Sequence, residues 1–192
     1  MNIDEKVVAL DTDFIGHIVE TRMEEDQIIY NLQLLFNEAE LTPIVHPLVY
    51  DKEIKEVNVK FDFLFDRNII QKVEFDEIFQ GDDDKKEYYI FLIKEFFKYI
   101  FGQTFPKESC DVLTYWKSSS SLGEMHSLAM CTVCGCHLFL SDDKGSKDLK
   151  TYMKNKSINN EIKVYNREEF INEYGYNCLK RSVKKALTHV AR

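Results

Sequence analysis

Three prolines and seven glycines in 192 residues leave the chain sparsely punctuated, so long regular elements are expected rather than a succession of turns. Internal repeats are absent, which excludes solenoids and propellers. No apolar run approaches the roughly 18 residues that a membrane-spanning helix needs. The opening from Met1 to Leu10 carries charges where a signal peptide would be greasy. The expectation is a soluble cytoplasmic protein with no membrane contact. Cysteines number only five, and three of them crowd together as Cys131, Cys134 and Cys136, too close for an ordinary disulfide framework and better suited to a reducing compartment. Positive charge is also short: 25 Lys and Arg against 33 Asp and Glu leave a net charge of −8. The balance argues against a protein that grips nucleic acid over a broad basic surface, because Lys and Arg carry most of that affinity. It does not exclude local basic patches or a carboxylate-rich metal site.

What the chain does have is apolar mass. Hydrophobic residues make up 44% and aromatics 13%, with 14 Phe and 10 Tyr, enough to close one large core without disulfide or metal staples. Charge is placed unevenly. Asp51 to Glu87 holds twelve acidic and seven basic residues, with Asp82-Asp83-Asp84 as its sharpest point, whereas Leu179 to Arg192 holds five basic residues and no acidic one. The acidic run lacks the alternating spacing of a calcium loop and reads as a solvated turn. Ser118 to Ser121 reads as a short linker loop.

Periodicity gives the order of elements. Val7-Val8-Ala9-Leu10 is a continuous apolar run of the kind a buried parallel strand shows, and Asp11-Thr12-Asp13 is suited to capping a helix carrying Phe14, Ile15, Ile18 and Val19. Ile28, Ile29, Leu32, Leu35 and Phe36 make a second amphipathic helix. Pro43 to His46 is a second short strand, with Pro47 placed to begin a helix that carries Leu48, Val49, Glu53 and Ile54. Val57 to Phe63 alternates like a strand yet also suits a helix, and period alone does not separate the two. Glu87 to Phe101 is helical. Leu122 to Val133 is an apolar-rich helix ended by Gly135, Leu138-Phe139-Leu140 a buried strand, and Leu149, Tyr152 and Met153 mark another helix. Ile162 to Tyr165 is the next strand, and Val183, Leu187 and Val190 form one face of a basic helix from about 178 to 191.

Strands alternating with helices in this way predict an α/β fold: an open, mostly parallel sheet with helices on both faces, three layers in all. Ligands in such folds bind beyond the carboxyl ends of the strands, where the strand order reverses. Asp11 and Asp142 both stand at strand carboxyl ends. Carboxylates gathered there repel each other and lose solvation unless a divalent cation lies among them. Hard oxygen donors at this density suit Mg²⁺ or Mn²⁺, whose natural chemistry is phosphodiester hydrolysis.

Two stretches carry a resemblance to a known family. Leu10-Asp11-Thr12-Asp13 before an apolar helix resembles the opening of PIN domains, where a strand ends in Asp-Thr-Asn or a near variant. Gly123-Glu124, the small-residue helix that follows, Gly135 and the strand running into Ser141-Asp142-Asp143-Lys144 look like that family's later signature. The resemblance covers roughly residues 6–170 apart from the middle. It implies a single PIN-like α/β/α domain over 1–192, with a variable, mostly helical insertion at about 57–117. It implies a Mg²⁺- or Mn²⁺-dependent ribonuclease acting on single-stranded RNA, the activity of the toxins in bacterial toxin–antitoxin pairs, with an antitoxin as a possible protein partner. Carried over by position, Asp11, Glu124 and Asp142 or Asp143 would hold metal around an activated water, and Glu53 matches the acidic residue on the helix after the second strand. Asp13 stands where the family has Asn, and either adds charge to the site or caps the helix. The middle is longer than in compact toxins.

Simpler readings stand beside these. Asp11 and Asp13 are good helix caps, Glu124 suits a first helical turn, and one of Asp142 and Asp143 is expected to cap the next helix. Cys131, Cys134, Cys136 and His126 or His137 are zinc-ligand types, but no second pair stands at finger spacing, so small buried thiols are expected. Lys144 and Lys147, just past the site, are candidate substrate-binding residues, and the basic helix is a candidate phosphate grip. The competing class is a catalytically silent PIN-like binding or scaffold module that engages a protein through its acidic middle. A retained cluster of costly carboxylates favours the enzyme.

Overall fold

The computed structural model describes residues 6–19, 23–106, 111–117, 121–158, 161–175 and 177–188. The linker serines 118–120, Val190 and Arg192 lie outside them. Five strands form the central sheet: β1 (Val7–Leu10), β2 (Thr42–Val45), β3 (Gln71–Lys72), β4 (Leu138–Leu140) and β5 (Lys163–Tyr165). All neighbours are parallel, in the order β3-β2-β1-β4-β5. The fold is the three-layer α/β/α arrangement that the element order predicts.

Period-2 alternation sorts the strand residues onto two faces. Val7, Ala9, Ile44 and Phe139 belong to one core; Val8, Leu10, Val45, Leu138 and Leu140 belong to the other. The first face is covered by α5 (Phe75–Phe79), α6 (Asp83–Phe101), α7 (Leu122–Cys134) and α8 (Lys144–Asn155), through residues such as Phe79, Phe96, Leu128 and Leu149. The second is covered by α1 (Thr12–Val19), α2 (Glu25–Glu38), α4 (Asp62–Asp66), α9 (Arg167–Tyr174) and α10 (Arg181–Thr188), through Phe14, Leu32, Leu64, Phe170 and Leu187. Each such side chain, fully buried, contributes about 1.5–3 kcal/mol. Double coverage is the reason the central strands read as unbroken apolar runs.

Several boundaries differ from the sequence reading. β2 starts at Thr42 and stops before His46, which caps α3 (Pro47–Val49), its Nδ1 accepting from the backbone N–H of Leu48 at 3.2 Å. The ambiguous stretch 57–63 is helical, a 3₁₀ turn over Val59–Phe61 running into α4. Period did not mark β3, whose two residues are polar and only half-buried. It adds the outer strand to β2, so residues 57–117 contribute to the sheet as well as supplying α4, α5 and α6. The basic helix α10 rests on buried Leu187, with Lys180, Arg181 and Lys185 exposed. The thiols serve as packing groups: Cys136 donates to the carbonyls of Val7 and Leu138, and Cys134 to that of Ile78.

A polar group sits wholly inside the first face. Because His46 Nδ1 accepts from Leu48, its Nε2 carries the proton and donates to the Tyr89 hydroxyl at 2.8 Å. That hydroxyl in turn donates to Nδ1 of His126 at 2.6 Å. The chain of donors ends at His126 Nε2, which has only a loose interaction with the backbone of Tyr115. All three linked residues are fully buried. Burial holds both imidazoles neutral, the neighbouring His126 adding to the effect at His46, whose pKa lies well below the usual histidine range, while His126 is pushed down to about 3.

Candidate functional site

The strand order reverses between β1 and β4. The chain leaves β1 to build β2 and β3 on one side, then returns to place β4 and β5 on the other. Loops from the two strands part at this point and leave a crevice at their carboxyl ends. A cleft of about 360 Å³ lies there, lined by Asp11, Asp13, Glu53, Glu124 and Asp143 together with Thr12, His17 and Asn58.

Each acidic side chain arrives from a different element. Asp11 follows β1 directly, and its backbone N–H donates to the Leu140 carbonyl at 2.9 Å, which fastens it to the end of β4. Its Oδ1 accepts from Thr12 N–H and its Oδ2 from the Ser141 hydroxyl. Asp13 stands in the first turn of α1, where its Oδ1 accepts from the backbone N–H of Asp142 at 3.2 Å. Glu53 lies on a π-helical turn, Tyr50–Ile54, that widens the helix begun at Pro47, and its Oε2 accepts a hydrogen bond from the Thr12 hydroxyl. Glu124 occupies the first turn of α7. Asp143 caps α8 by accepting from Gly145 N–H at 2.6 Å.

Two glycines permit the approach of these groups. A Cβ on Gly123 would come within 2.8 Å of Glu53 Oε1, and one on Gly145 would meet Asp143 Oδ1 at 3.2 Å and Glu124 Oε1 at 3.8 Å. The Gly123-Glu124 pair thus has a steric basis: the glycine admits one carboxylate beside the next.

Electrostatics record the crowding. Asp11 is only 5% exposed, and burial raises its pKa well above the usual carboxylate range, with Asp13, Glu124 and Glu53 adding repulsion against the Ser141 hydrogen bond. Burial pushes Glu124 up to about 8, its own backbone N–H opposing and Asp143, Glu53 and Asp13 adding to the rise. Asp13 and Glu53 are raised as well, first by burial. Left alone, the crowded cleft favours the protonated forms of Asp11, Asp13, Glu53 and Glu124, because buried like charges repel one another.

The expected set of Asp11, Glu124 and Asp142 is not the set that meets. Asp142 turns away to other partners: its Oδ2 lies 2.6 Å from His17 Nδ1, its Oδ1 accepts from Arg167 N–H at 2.8 Å, and the Arg167 Nε stands 3.7 Å off. Asp143 combines both roles expected of the pair, capping α8 and lining the cleft. Lys144 and Lys147 are exposed and outside the lining, and Lys147 pairs with Glu169 at 3.1 Å. His17 escaped the sequence reading. Its signal was its place four residues after Asp13 in α1, which puts both on one helical face.

The donors suit a hard divalent ion in type and charge: carboxylate oxygens, buried at Asp11 and Glu124, half-buried at Asp13 and Glu53 and exposed at Asp143, and short of compensating cations. Among the described residues, no three His, Cys, Asp or Glu side chains are drawn together closely enough to form a ready coordination shell. The fit is therefore one of charge and donor chemistry. Among the described residues, no helix is long and apolar enough to cross a membrane. The chain matches no protein-family model, no curated protein and no solved structure.

Proposed function

We propose that the protein is a Mg²⁺- or Mn²⁺-dependent nuclease of the PIN type that hydrolyses phosphodiester bonds in single-stranded RNA. The observation that carries this reading is the carboxylate cluster at the point where the strand order reverses, with Asp11 and Glu124 buried and their pKa values raised by burial and mutual repulsion. Asp11 and Glu124 would hold the ion, with Asp143, Glu53 and Asp13 as supporting carboxylates. When bound, a divalent ion supplies positive charge to a phosphodiester oxygen and lowers the pKa of water beside it.

The chain's own groups do the rest. Ser141 and Thr12 fix Asp11 and Glu53 by donating to them, so the carboxylates keep their lone pairs aimed into the cleft. Asp142 accepts from His17 Nδ1–H, so Nε2 of the neutral ring is an acceptor, and since His17 lines the cleft it would take a proton from the attacking water. The exposed lysines Lys144 and Lys180, with Arg181 and Lys185, offer phosphate contacts away from the acidic cleft. A protein partner such as an antitoxin would recognise the same domain.

The lack of a ready coordination shell favours one other reading, a PIN-like module that binds a partner and cleaves nothing. Mn²⁺ titration followed by thermal unfolding separates the two. Under the nuclease reading the ion raises the melting temperature, by about 2.7 kcal/mol of stabilisation at a hundredfold excess over Kd. Single-stranded RNA is then cut, EDTA stops the cutting, and a D11N/E124Q variant neither responds to Mn²⁺ nor cleaves. A wild-type protein whose melting temperature ignores Mn²⁺ and which leaves RNA intact is the silent module.

A further inference from the structure

The first face of the sheet ends in a helix whose outer side is not covered among the described residues. α6 buries Tyr89, Leu92, Ile93, Phe96 and Phe97 against the core, yet leaves Phe91 50%, Tyr99 46% and Tyr88 42% exposed. These are half of the large hydrophobic side chains exposed among the described residues, and they share one helix. Tyr88 stacks on Phe91, and Tyr99 stacks on Tyr152 of α8, which extends the aromatic surface to a second helix.

The exposed charges beside those rings are segregated along the axis, while half-buried Glu95 is engaged by the Tyr152 hydroxyl, from which it accepts at 3.1 Å. Asp84 and Glu87 precede Phe91, Lys94 and Lys98 follow it, and all four are exposed. With about 3.6 residues per turn, positions 84, 87, 91, 94 and 98 form one stripe, acidic at its amino end, aromatic at its centre and basic at its carboxyl end. Lys85 and Lys86 fall to the sides of that stripe.

We propose that this face is a two-fold interface at which α6 packs antiparallel against α6 of a second copy of the chain, with Phe91 near the axis. An antiparallel pair centred there sets Asp84 against the partner copy's Lys98 and Glu87 against its Lys94, and symmetry repeats both pairings. No other orientation of two identical stripes does this: a parallel pair sets acid on acid and base on base. Opposed helix dipoles favour the same arrangement. The aromatic rings supply apolar area at the centre and the ion pairs select orientation, the usual division of roles in an interface. The contact is small beside the roughly 800 Å² per partner of a standard interface, so a concentration-dependent monomer–dimer equilibrium is expected.

Sedimentation equilibrium of the full-length protein over a micromolar concentration series tests this. The wild type should self-associate, and F91E, a change at an exposed position, should abolish association while leaving the circular dichroism spectrum and melting temperature of the dilute protein unchanged. Two charge-reversed variants make the test specific. D84K/E87K and K94E/K98E should each be monomeric alone, and mixed one to one they should form a heterodimer. A wild type that stays monomeric throughout overturns the proposal and leaves the face to a different protein. So does a dimer that survives F91E, or a mixture of the two reversed variants that stays monomeric.

Discussion

Two polar clusters flank one helix, one wholly buried and one with Asp11 and Glu124 buried at the base of a cleft, and they resolve the cost of lost solvation in opposite ways. His126 of α7 belongs to the buried chain His46–Tyr89–His126, in which donors and acceptors alternate and both imidazoles are neutral. Glu124, two residues earlier on the same helix, belongs to the cleft, where carboxylates face carboxylates and their pKa values rise. The first cluster is bonded internally from His46 through Tyr89 to His126, with only His126 Nε2 lacking a full partner, and all three of its residues are shut away from solvent. The second is open, and its conflict is of one sign. A protein that needed only polar groups at this helix end had the neutral solution available two residues away. Under the proposed function, the unresolved conflict is the one that a bound cation would relieve.

The connection between the clusters is structural. His46 begins the helical segment that carries Glu53, and His126 stands on the helix that carries Glu124. Tyr89 joins them, so the neutral network sets where α3 and α7 lie relative to each other and thereby where two of the five carboxylates point. Rigid support behind a strained set of charges is what a metal site requires of its surroundings.

The comparison breaks most sharply at Asp11. Asp11→Asn should lower Mn²⁺-dependent RNA cleavage by roughly a hundredfold or more, while raising the melting temperature of the metal-free protein, since relief of the repulsion among the carboxylates outweighs the loss of one of the two hydrogen bonds that Asp11 accepts from Thr12 and Ser141. A metal-free melting temperature that falls instead would mean that the cluster is not in conflict.

Proton linkage gives the next largest effect. Glu124 has a folded pKa of about 8 against an ordinary value of 4.5, so the folded state binds more protons than the unfolded state between those limits. The stability this group contributes is therefore fully present below about pH 4.5 and is lost as pH rises through 8. A tenfold difference in proton affinity is worth about 1.4 kcal/mol, and the loss should reach a few kcal/mol. Saturating Mn²⁺, or Glu124→Gln, should flatten the curve of urea unfolding free energy against pH over that window. A wild-type curve already flat from pH 5 to 8 would remove the electrostatic basis of the site.

The neutral cluster should behave otherwise. Tyr89→Phe leaves the His46 Nε2–H and the His126 Nδ1 without their partner in a dry core, at a cost of about 1–3 kcal/mol. Because both histidines stay neutral down to low pH, this loss should be the same at pH 6 and pH 8. If unfolding curves show it changing across that range, the assignment of fixed neutral imidazoles fails.

The smallest effect is expected at the basic helix. Replacing Lys180, Arg181, Lys184 and Lys185 with Gln should weaken single-stranded RNA binding and reduce the slope of log affinity against log salt by about 0.7 for each phosphate that is no longer neutralised. Mn²⁺ stabilisation should be untouched. An unchanged slope would assign α10 the structural role that buried Leu187 and the bond from Arg167 to the Thr188 carbonyl already describe.

Much of the architecture is written in local pattern. Four consecutive apolar residues at Val7–Leu10, the left-handed stop at Gly135 (φ 73°) and Pro47 at a helix start all carry their meaning within a few residues, because steric and hydrogen-bonding rules act over a single turn. The same locality delivers Asp11 and Asp143 to strand ends and Glu124 to a helix start. β3 had no such signature: Gln71 and Lys72 become a strand only because β2 offers them a parallel edge. Residues 57–63 took the helical option for a similar reason, with Phe61 and Leu64 finding room under α1 and beside Ile70 that no local period could announce.

What the sequence alone determined is the order of elements outside residues 57–86, the double coverage of the sheet and most of the carboxylates that line the cleft. Which of two adjacent aspartates faces the cleft was decided only in three dimensions. Asp142 and Asp143 are identical in chemistry and one residue apart. Asp142 is drawn off by His17, 125 residues earlier in the chain, and by Arg167 beyond β5, while Asp143 is left at the helix cap beside Glu124. A preference set by partners that distant has no trace in local pattern, since it arises from charges that meet only after the sheet has closed.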